Sequence, residues 1–382
     1  MIQRLALAIA FSALSACAAE PQAIPQPQLV NNGKIDEAAA KKAFEKAKAE
    51  PALIKKKPLL VEALRAGSTE AASMFVELYM DDECGALTQA DIDLISEWED
   101  NKKPIGKKTL RQCYAFILSN WAARCLPKGD AQQEALLKAR KVYLADSIEN
   151  HIILHELAWL FSSFEPTDSK KAEEFQKKLF DPQTLSGLQS GFDKGLYYYY
   201  LGDALDPARY PEKQNQWTAS SDGFLQGYKL FQQAGDKGWQ ARSLLRFCQL
   251  RLDNGIIAGN MPKEVVGEAI GTLKNLAIEL KKPEMEVHAN LLLGRYLNYR
   301  GNFKDGLAAC QEATRIAKEG KDKGLVAATL LWQGITIKKA KFGKGSSAPG
   351  FEAPIQEAIN IWHALGDEVS AQNAATWLRD PP

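Results

Sequence analysis

The sequence predicts an all-α fold, a superhelical solenoid of stacked helix-turn-helix hairpins. From Asp36 onward, apolar side chains recur at helical spacing in almost every segment. Many of the predicted helices begin at Ser, Thr or Asp, or end at Gly, Pro or Asn-Gly, as helix caps require. The alternation of apolar and polar residues that is typical of strands hardly occurs. A single hairpin of this kind cannot bury its apolar side alone, so the hairpins are expected to stack.

The predicted helices follow one another along the chain, joined by short turns. Pro51 stops the first helix, and Pro58 opens the second. The predicted ranges are 36–49, 58–67, 69–82, 88–101, 107–125, 131–146, 148–163, 168–179, 183–192, 195–205, 223–234, 239–253, 262–281, 284–299, 304–319, 323–340, 353–365 and 368–378. Residues 343–353 are rich in Gly and Ser and predict a flexible loop, which is either a partner contact or a tolerated insertion.

The N-terminus has the three parts of an export signal. A basic start at Arg4 is followed by an apolar stretch from Leu5 to Leu14 and then by small residues. About ten residues of helix span roughly 15 Å, half of the hydrocarbon core, so this stretch is too short to cross a membrane.

The run Leu14-Ser15-Ala16-Cys17 resembles the lipobox of bacterial lipoprotein precursors. The resemblance implies that residues 1–16 are removed as a signal peptide and that Cys17 is lipidated. It also implies a lipid-anchored protein on the periplasmic side of the envelope, at the outer membrane because Ala18 rather than an aspartate follows the cysteine. A cut by an ordinary signal peptidase near Ala18 or Ala19 is the alternative. Residues 17–34, with three prolines, then predict a flexible tether.

The composition is that of an ordinary globular protein. Of 382 residues, 46% are hydrophobic and 25% charged, and the net charge is +1. This balance gives no reason to expect a nucleic-acid partner.

The six cysteines are Cys17, Cys84, Cys113, Cys125, Cys248 and Cys310. Cys84 and Cys125 lie near the ends of two predicted helices that are two helices apart, where a disulfide is possible. Cys113, Cys248 and Cys310 are expected to be core residues.

Two kinds of internal repeat are visible. Ala63-x3-Gly67-x3-Ala71-x3-Phe75 resembles the Sel-one-like repeat, a relative of the tetratricopeptide repeat (TPR). Leu293-Gly294-x2-Leu297, followed by Gly306-x3-Cys310-x2-Ala313, resembles the TPR itself. In such repeats, Gly and Ala mark where paired helices approach closely. The predicted organisation is therefore a Sel-one-like or irregular helical array over 35–222 and TPR-like repeats over 223–382.

The run Tyr197-Tyr198-Tyr199-Tyr200 stands before Leu201-Gly202 in a predicted helix. Four consecutive residues point to all sides of a helix, so at least one tyrosine must face away from the packed side. These tyrosines are candidate partner-binding aromatics on the concave surface. The alternative is that two of them pack in the core and the others are partly exposed.

His151 and His155 are four residues apart on one helix face, a spacing that can hold zinc. Trp159 occupies the place where a metalloprotease motif has its second histidine, which removes a required ligand. The sequence therefore predicts neither a catalytic site nor a cofactor nor a metal, and these histidines are expected to make polar contacts between helices.

The function expected from the sequence is that of a non-catalytic, membrane-tethered periplasmic lipoprotein. It would bind a protein partner as an envelope scaffold or assembly factor. One alternative is an immunity protein that neutralises an exported antibacterial toxin, a role in which lipoproteins with Sel-one-like repeats occur. A second alternative is a metal-binding protein or hydrolase centred on His151 and His155.

Overall fold

The computed structural model confirms the all-α prediction. It describes residues 37–50, 53–65, 68, 71, 74, 92, 96, 102, 104–105, 108–126, 129–143, 147–163, 169–179, 182–207, 216–255, 263–342 and 350–379. These residues fall into two compact units that divide between Leu188 and Gln189, called here the N-terminal unit and the C-terminal unit. The predicted change of repeat type at residues 222–223 lies within a helix of the C-terminal unit, and the repeat type on either side stays a prediction.

The N-terminal unit contains seven helices and one two-stranded hairpin among its described residues. They are α1 (Glu37–Ala49), α2 (Leu53–Arg65), β1 (Pro104–Ile105), β2 (Lys108–Thr109), α3 (Leu110–Cys125), α4 (Asp130–Arg140), α5 (Ile148–Ser163), α6 (Ser169–Leu179) and α7 (Pro182–Gly187). Consecutive helices pack in pairs, α1 with α2, α3 with α4 and α5 with α6. Ile117, Leu136, Ile153 and Leu157 are fully buried in this unit, as the apolar sides of paired helices require.

Two elements of this unit differ from the prediction. Helix α2 begins at Leu53 and continues through Pro58, which was expected to open it. Pro58 lies at an exposed position, whereas Leu60 and Ala63 are fully buried, so burial outweighs the hydrogen bond that the proline removes. The second difference is that residues 108–109 pair with residues 104–105 in an antiparallel hairpin instead of beginning a helix.

The C-terminal unit contains nine helices among its described residues. They are α8 (Gly191–Ala204), α9 (Trp217–Ala234), α10 (Lys237–Leu250), α11 (Lys263–Glu279), α12 (Pro283–Tyr299), α13 (Phe303–Gly320), α14 (Lys323–Phe342), α15 (Glu352–Leu365) and α16 (Glu368–Arg379). A π-helical turn, Arg251–Gly255, extends α10. Each helix packs against the next one in the chain. We call α8, α10, α12, α14 and α16 the first helices of the hairpins, and the others the second helices.

Capping explains why these helices begin where they do. The Asp236 carboxylate accepts a hydrogen bond from the Trp239 backbone N–H at 2.9 Å. Asp322 and Asp367 accept equivalent bonds from the backbone three residues later, at the starts of α14 and α16. Such caps satisfy backbone donors that have no partner inside the helix. The predicted helix starts in the C-terminal unit are therefore accurate to within about two residues at most positions.

Glycines allow the two helices of a hairpin to touch. A Cβ on Gly202 of α8 would lie 2.8 Å from the Ser220 carbonyl oxygen of α9, and one on Gly223 would lie 2.9 Å from the Gly202 backbone. The Ser220 hydroxyl also donates a 2.6 Å hydrogen bond to the Gly202 carbonyl oxygen. The prediction that Gly marks a close helix approach is confirmed here, and again where Gly294 of α12 meets Cys310 of α13.

Two apolar clusters fill the C-terminal unit. Phe224, Phe247 and Leu273 belong to the cluster that extends from α9 to α12, and Leu331 and Trp362 belong to the cluster that extends from α12 to α16. Both clusters are shared between neighbouring hairpins, as stacking requires. None of the helices in the described part of the chain combines the length and the apolar character needed to cross a bilayer.

Candidate functional site

The first helices of the C-terminal unit lie side by side, since α10 contacts α12 and α12 contacts α14. Charged and aromatic side chains bridge them on one side of the array. We call this surface the first-helix face. The residues that define it are Asp203, Asp206, Arg246, Asp253, Arg295 and Trp332, together with the exposed Tyr299 one turn after Arg295.

Arg246 of α10 holds two carboxylates. Its guanidinium donates to Asp203 in the last turn of α8 at 3.0 Å and to Asp206, two residues beyond the end of that helix, at 2.6 Å. The two acidic side chains are 5% and 3% exposed. Burial alone would lower the pKa of Arg246, but the two carboxylates outweigh it, so that this pKa lies above its ordinary value. The guanidinium also lies 5.5 Å from the ring centroid of Phe224. The cluster fixes α8 against α10.

Arg295 of α12 forms the next bridge. It donates to Asp253 in the π-helical turn after α10, and its guanidinium lies 4.7 Å from the ring centroid of Trp332 in α14. The side chains of Arg295 and Asp253 are only 12% and 10% exposed. One arginine therefore joins three successive first helices, through an ion pair on one side and a cation–π contact on the other.

The tyrosine run lies in α8 at the edge of this region. Tyr197 is buried at 4% exposure, while Tyr198, Tyr199 and Tyr200 are partly buried. Tyr199 packs edge-on against the ring of Trp239, with centroids 5.1 Å apart. The alternative interpretation expected two of the four tyrosines in the core, whereas one is buried and three are partly buried. A role of these tyrosines in binding a partner stays a prediction.

His151 and His155 are both buried in α5, at 1% and 0% exposure. The Nδ1 atom of His155 lies 3.3 Å from a Glu156 carboxylate oxygen. Within the described residues, no three His, Cys, Asp or Glu side chains are grouped so that they could hold a metal ion. Burial, and to a smaller extent the charge of His155, lowers the pKa of His151 to about 3. At neutral pH, His151 is therefore a neutral core residue.

The N-terminal unit should become less stable in mild acid. The pKa of His151 is about 3 in the folded chain and about 6.5 in an unfolded one. Between these values the unfolded state binds the extra proton, so the free energy of unfolding falls as the pH falls below about 6.5. The slope approaches 1.4 kcal/mol per pH unit at about pH 5. Hydrogen exchange of residues 148–163, followed by mass spectrometry, measures this loss of stability. The exchange is compared between pH 7 and pH 5 after correction for intrinsic exchange rates.

His363 supplies the control for this experiment, because its side chain is 49% exposed at the end of α15. His363→Gln should keep the pH dependence of protection in α5, whereas His151→Gln should flatten it. Equal pH dependence in the wild type and in His151→Gln would contradict the assignment to this histidine.

Cys248 and Cys310 are free and buried, which confirms that they are core residues. Burial raises the pKa of the Cys310 thiol to about 12, only partly offset by Thr336. Cys17, Cys84 and the side chains of Cys113 and Cys125 lie outside the described residues, so lipidation and the Cys84–Cys125 disulfide stay predictions. Most of the loop predicted at 343–353 lies outside them as well.

Sequence reasoning missed the charged groups of the first-helix face. Asp203 and Arg246 are separated by 43 residues, and Asp253 and Arg295 by 42 residues. A charged residue beside the Leu-Gly of two first helices, in Leu201-Gly202-Asp203 and Leu293-Gly294-Arg295, is a signal that could have drawn attention to them.

Neither a protein-family model nor a curated protein sequence matches the chain. Solved structures do. A Rap protein complexed with Competence and Sporulation Factor is 11% identical, with 86% of this chain and 80% of that chain covered and a TM-score of 0.50.

Two further structures are similar over most of this chain. Aspartyl phosphate phosphatase F from Bacillus subtilis is 11% identical, with 92% and 80% covered and a TM-score of 0.47. A STAND protein with a tetratricopeptide repeat sensor from Pyrococcus horikoshii is 14% identical, with 89% and 62% covered and a TM-score of 0.43. The likeness to the Rap protein shows the fold, and the chain is a TPR-like solenoid of helical hairpins.

Proposed function

We propose that this protein is a non-catalytic, membrane-tethered lipoprotein of the periplasm that binds a protein partner through the first-helix face. The observation that carries the proposal is the composition of this face. Partly exposed arginine, tyrosine and tryptophan side chains are the residue types that contribute most at protein interfaces. Packing against neighbouring helices holds Arg295 and Trp332 in place, so little conformational freedom is lost when a partner binds.

Two further points support the proposal. The Rap protein with the same fold was solved as a complex with Competence and Sporulation Factor, so this architecture can carry a bound molecule. The chain also begins with an export signal and Cys17 in a lipobox-like run, followed by a proline-containing segment that could serve as a tether. An anchor, a spacer and a binding surface are the three parts with which a membrane-tethered scaffold would hold a partner.

A photo-crosslinking amino acid at two positions tests the binding face. Tyr299 is 39% exposed, one helical turn after Arg295, whereas Ile278 is 51% exposed on the second helix α11. Crosslinker at position 299 in living cells should capture a discrete envelope protein that crosslinker at position 278 does not. Capture at 278 alone, or the same products from both positions, would contradict the proposed face. Identifying the captured protein decides between a resident envelope component and a toxin.

Lipidation of Cys17 has a separate test. Cys17→Ser should abolish metabolic labelling with palmitate and release the protein from the membrane fraction, because the acyl chains supply the membrane affinity. Cys248→Ser is the matched control and should remain labelled, since this cysteine is buried in the C-terminal unit. Persistent labelling of Cys17→Ser would show that the anchor has been assigned to the wrong residue.

A further inference from the structure

The first hairpin of the N-terminal unit, formed by α1 and α2, is rich in lysine. Residues 41–57 contain seven lysines and two glutamates, whereas the whole chain has a net charge of only +1. The other residues of the chain are therefore negative when taken together. A local charge that differs so much from that of the rest of the chain indicates an interaction surface for an anionic partner.

The packing of α1 places its lysines on the outside of the hairpin. Three buried alanines, three or four residues apart, form one side of the helix, and α1 packs against α2. Among the side chains of α1 that the structure describes, Glu45 is the only acidic one. Four lysines of α1 are exposed, and they are Lys41, Lys42, Lys46 and Lys48.

These four lysines are not neutralised within the described part of the chain. They have neither an ion pair nor a hydrogen bond there, and the same is true of the half-buried Lys56 in α2. Glu45 follows Lys41 by one helical turn, yet the two do not form an ion pair. Lys42 and Lys46 are also one turn apart, and like charges at this spacing destabilise a helix. A negatively charged surface outside the hairpin would offset this repulsion.

The hairpin is also the part of the described fold that is nearest in sequence to the predicted lipidation site. Glu37, the first residue of α1, is only twenty positions after Cys17. A flexible tether of that length spans about 25 Å on average. Lipidation would therefore keep the lysines at a high effective concentration beside the membrane, where even weak binding is largely occupied.

We propose that the exposed lysines of α1 contact the headgroups of anionic phospholipids and hold the first hairpin against the membrane surface. This inference rests on the membrane anchor of the proposed function and adds how the anchored chain is oriented. Each lysine close to an anionic surface is expected to strengthen binding about fivefold. The acyl chains still supply most of the membrane affinity, so the hairpin alone would not retain a Cys17→Ser chain in a washed membrane fraction.

Vesicle binding by the unlipidated mature chain tests this contact. Residues 17–382 with Cys17→Ser include every residue that the structure describes. The chain is titrated with vesicles of phosphatidylcholine alone and with vesicles in which about a third of the lipid is phosphatidylglycerol. Sedimentation should show at least about tenfold stronger partitioning onto the anionic vesicles. A high salt concentration should abolish the difference, because it screens exposed charges.

Replacing the four exposed lysines of α1 with glutamine should remove the preference for anionic vesicles. Glutamine has nearly the same helix propensity as lysine, so the hairpin is expected to stay folded. Arginine at the same four positions should retain the preference, because the charge is kept.

The matched control removes the same amount of charge from the C-terminal unit. It carries glutamine at four lysines that are exposed and have no ion pair within the described residues, and they are Lys229, Lys281, Lys304 and Lys323. This variant should keep the preference for anionic vesicles.

Three results would overturn the proposal. They are equal binding to both kinds of vesicle, an equal loss of binding in the two glutamine variants, and tighter binding of a duplex oligonucleotide than of the anionic vesicles. The last result would assign the lysines to a nucleic-acid surface.

The inference and the proposed function can fail separately. A preference for anionic vesicles without palmitate labelling or a protein crosslinked at position 299 would leave the headgroup contact in place and remove the proposed function. Palmitate labelling and a crosslinked partner, together with equal binding to both kinds of vesicle, would do the reverse.

Discussion

Replacing Arg246 with methionine should lower the free energy of unfolding of the C-terminal unit by about 3–5 kcal/mol at pH 7. The substitution leaves Asp203 and Asp206 buried close together, without the cation that now binds both. Removing one member of a buried ionic group is far more costly than removing the whole group, because the remaining charges stay desolvated. Chemical denaturation followed by tryptophan fluorescence measures the change, since Trp239 and Trp332 lie in this unit.

The pH dependence identifies the cause. In Arg246→Met, the two carboxylates repel each other in a buried site, which raises their pKa above the unfolded value of about 3.9. The folded variant then takes up protons more readily than the unfolded chain, so the difference from the wild type should shrink as the pH falls from 7 to about 4.5. Adding Asp203→Asn and Asp206→Asn should restore part of the lost stability.

Arg315 supplies a control of the same composition. It also pairs with two carboxylates, Glu312 and Glu319, but all three side chains are at least 41% exposed. Arg315→Met should therefore change the stability little, because exposed ion pairs are weak. Equal effects of Arg246→Met and Arg315→Met would show that burial does not determine how much the Arg246 cluster contributes to the free energy of unfolding.

The second large effect is expected at the contact between α8 and α9. In Gly202→Ala the new methyl group would lie 2.8 Å from the Ser220 carbonyl oxygen and 3.1 Å from the Phe224 backbone nitrogen. Backbone atoms cannot rotate away, so the two helices must separate, and overpacking of this kind costs about 1–3 kcal/mol. The hydrogen bond from Ser220 to the Gly202 carbonyl oxygen would be strained at the same time.

Gly271→Ala is the matched control for this prediction. Gly271 lies in α11 with nothing within 4 Å of the position of its Cβ. Alanine there should stabilise the unit by up to about 1 kcal/mol, because it favours helix formation without a clash. Thermal denaturation of both variants measures the two opposite shifts. A stabilising Gly202→Ala would mean that α8 and α9 are not in close contact at this residue.

Local features made most of the fold predictable. Helix starts in the C-terminal unit follow capping residues such as Asp236 and Asp367, which act on the backbone three residues away. The contact at Gly294 was predictable for a similar reason, since the glycine and its partner Cys310 belong to one hairpin. Pro58 shows the limit of such reasoning, because packing of Leu60 and Ala63 overrides the local preference of the proline.

The candidate site was less accessible to sequence reasoning, for a geometric reason. The ion-pair partner of Arg246 or Arg295 depends on how one hairpin is rotated against the next. A shift of one residue along the helix would place these side chains on a different side of it. Arg295 looks like any charged residue of a solvated helix in the sequence. Only the packing of α12 against α14 shows that its guanidinium lies against Trp332 while it binds Asp253.

The stacking of each helix on its neighbour in the chain has a consequence for how the C-terminal unit folds. Its contacts join segments that are close in sequence, so little loop-closure entropy is lost as each hairpin is added. A short block of hairpins can nucleate, and the rest can be added from it in either direction. Opening follows the same route in reverse and begins at the last helix, α16, where Val369 is 63% exposed and no further helix of the described chain packs outside it.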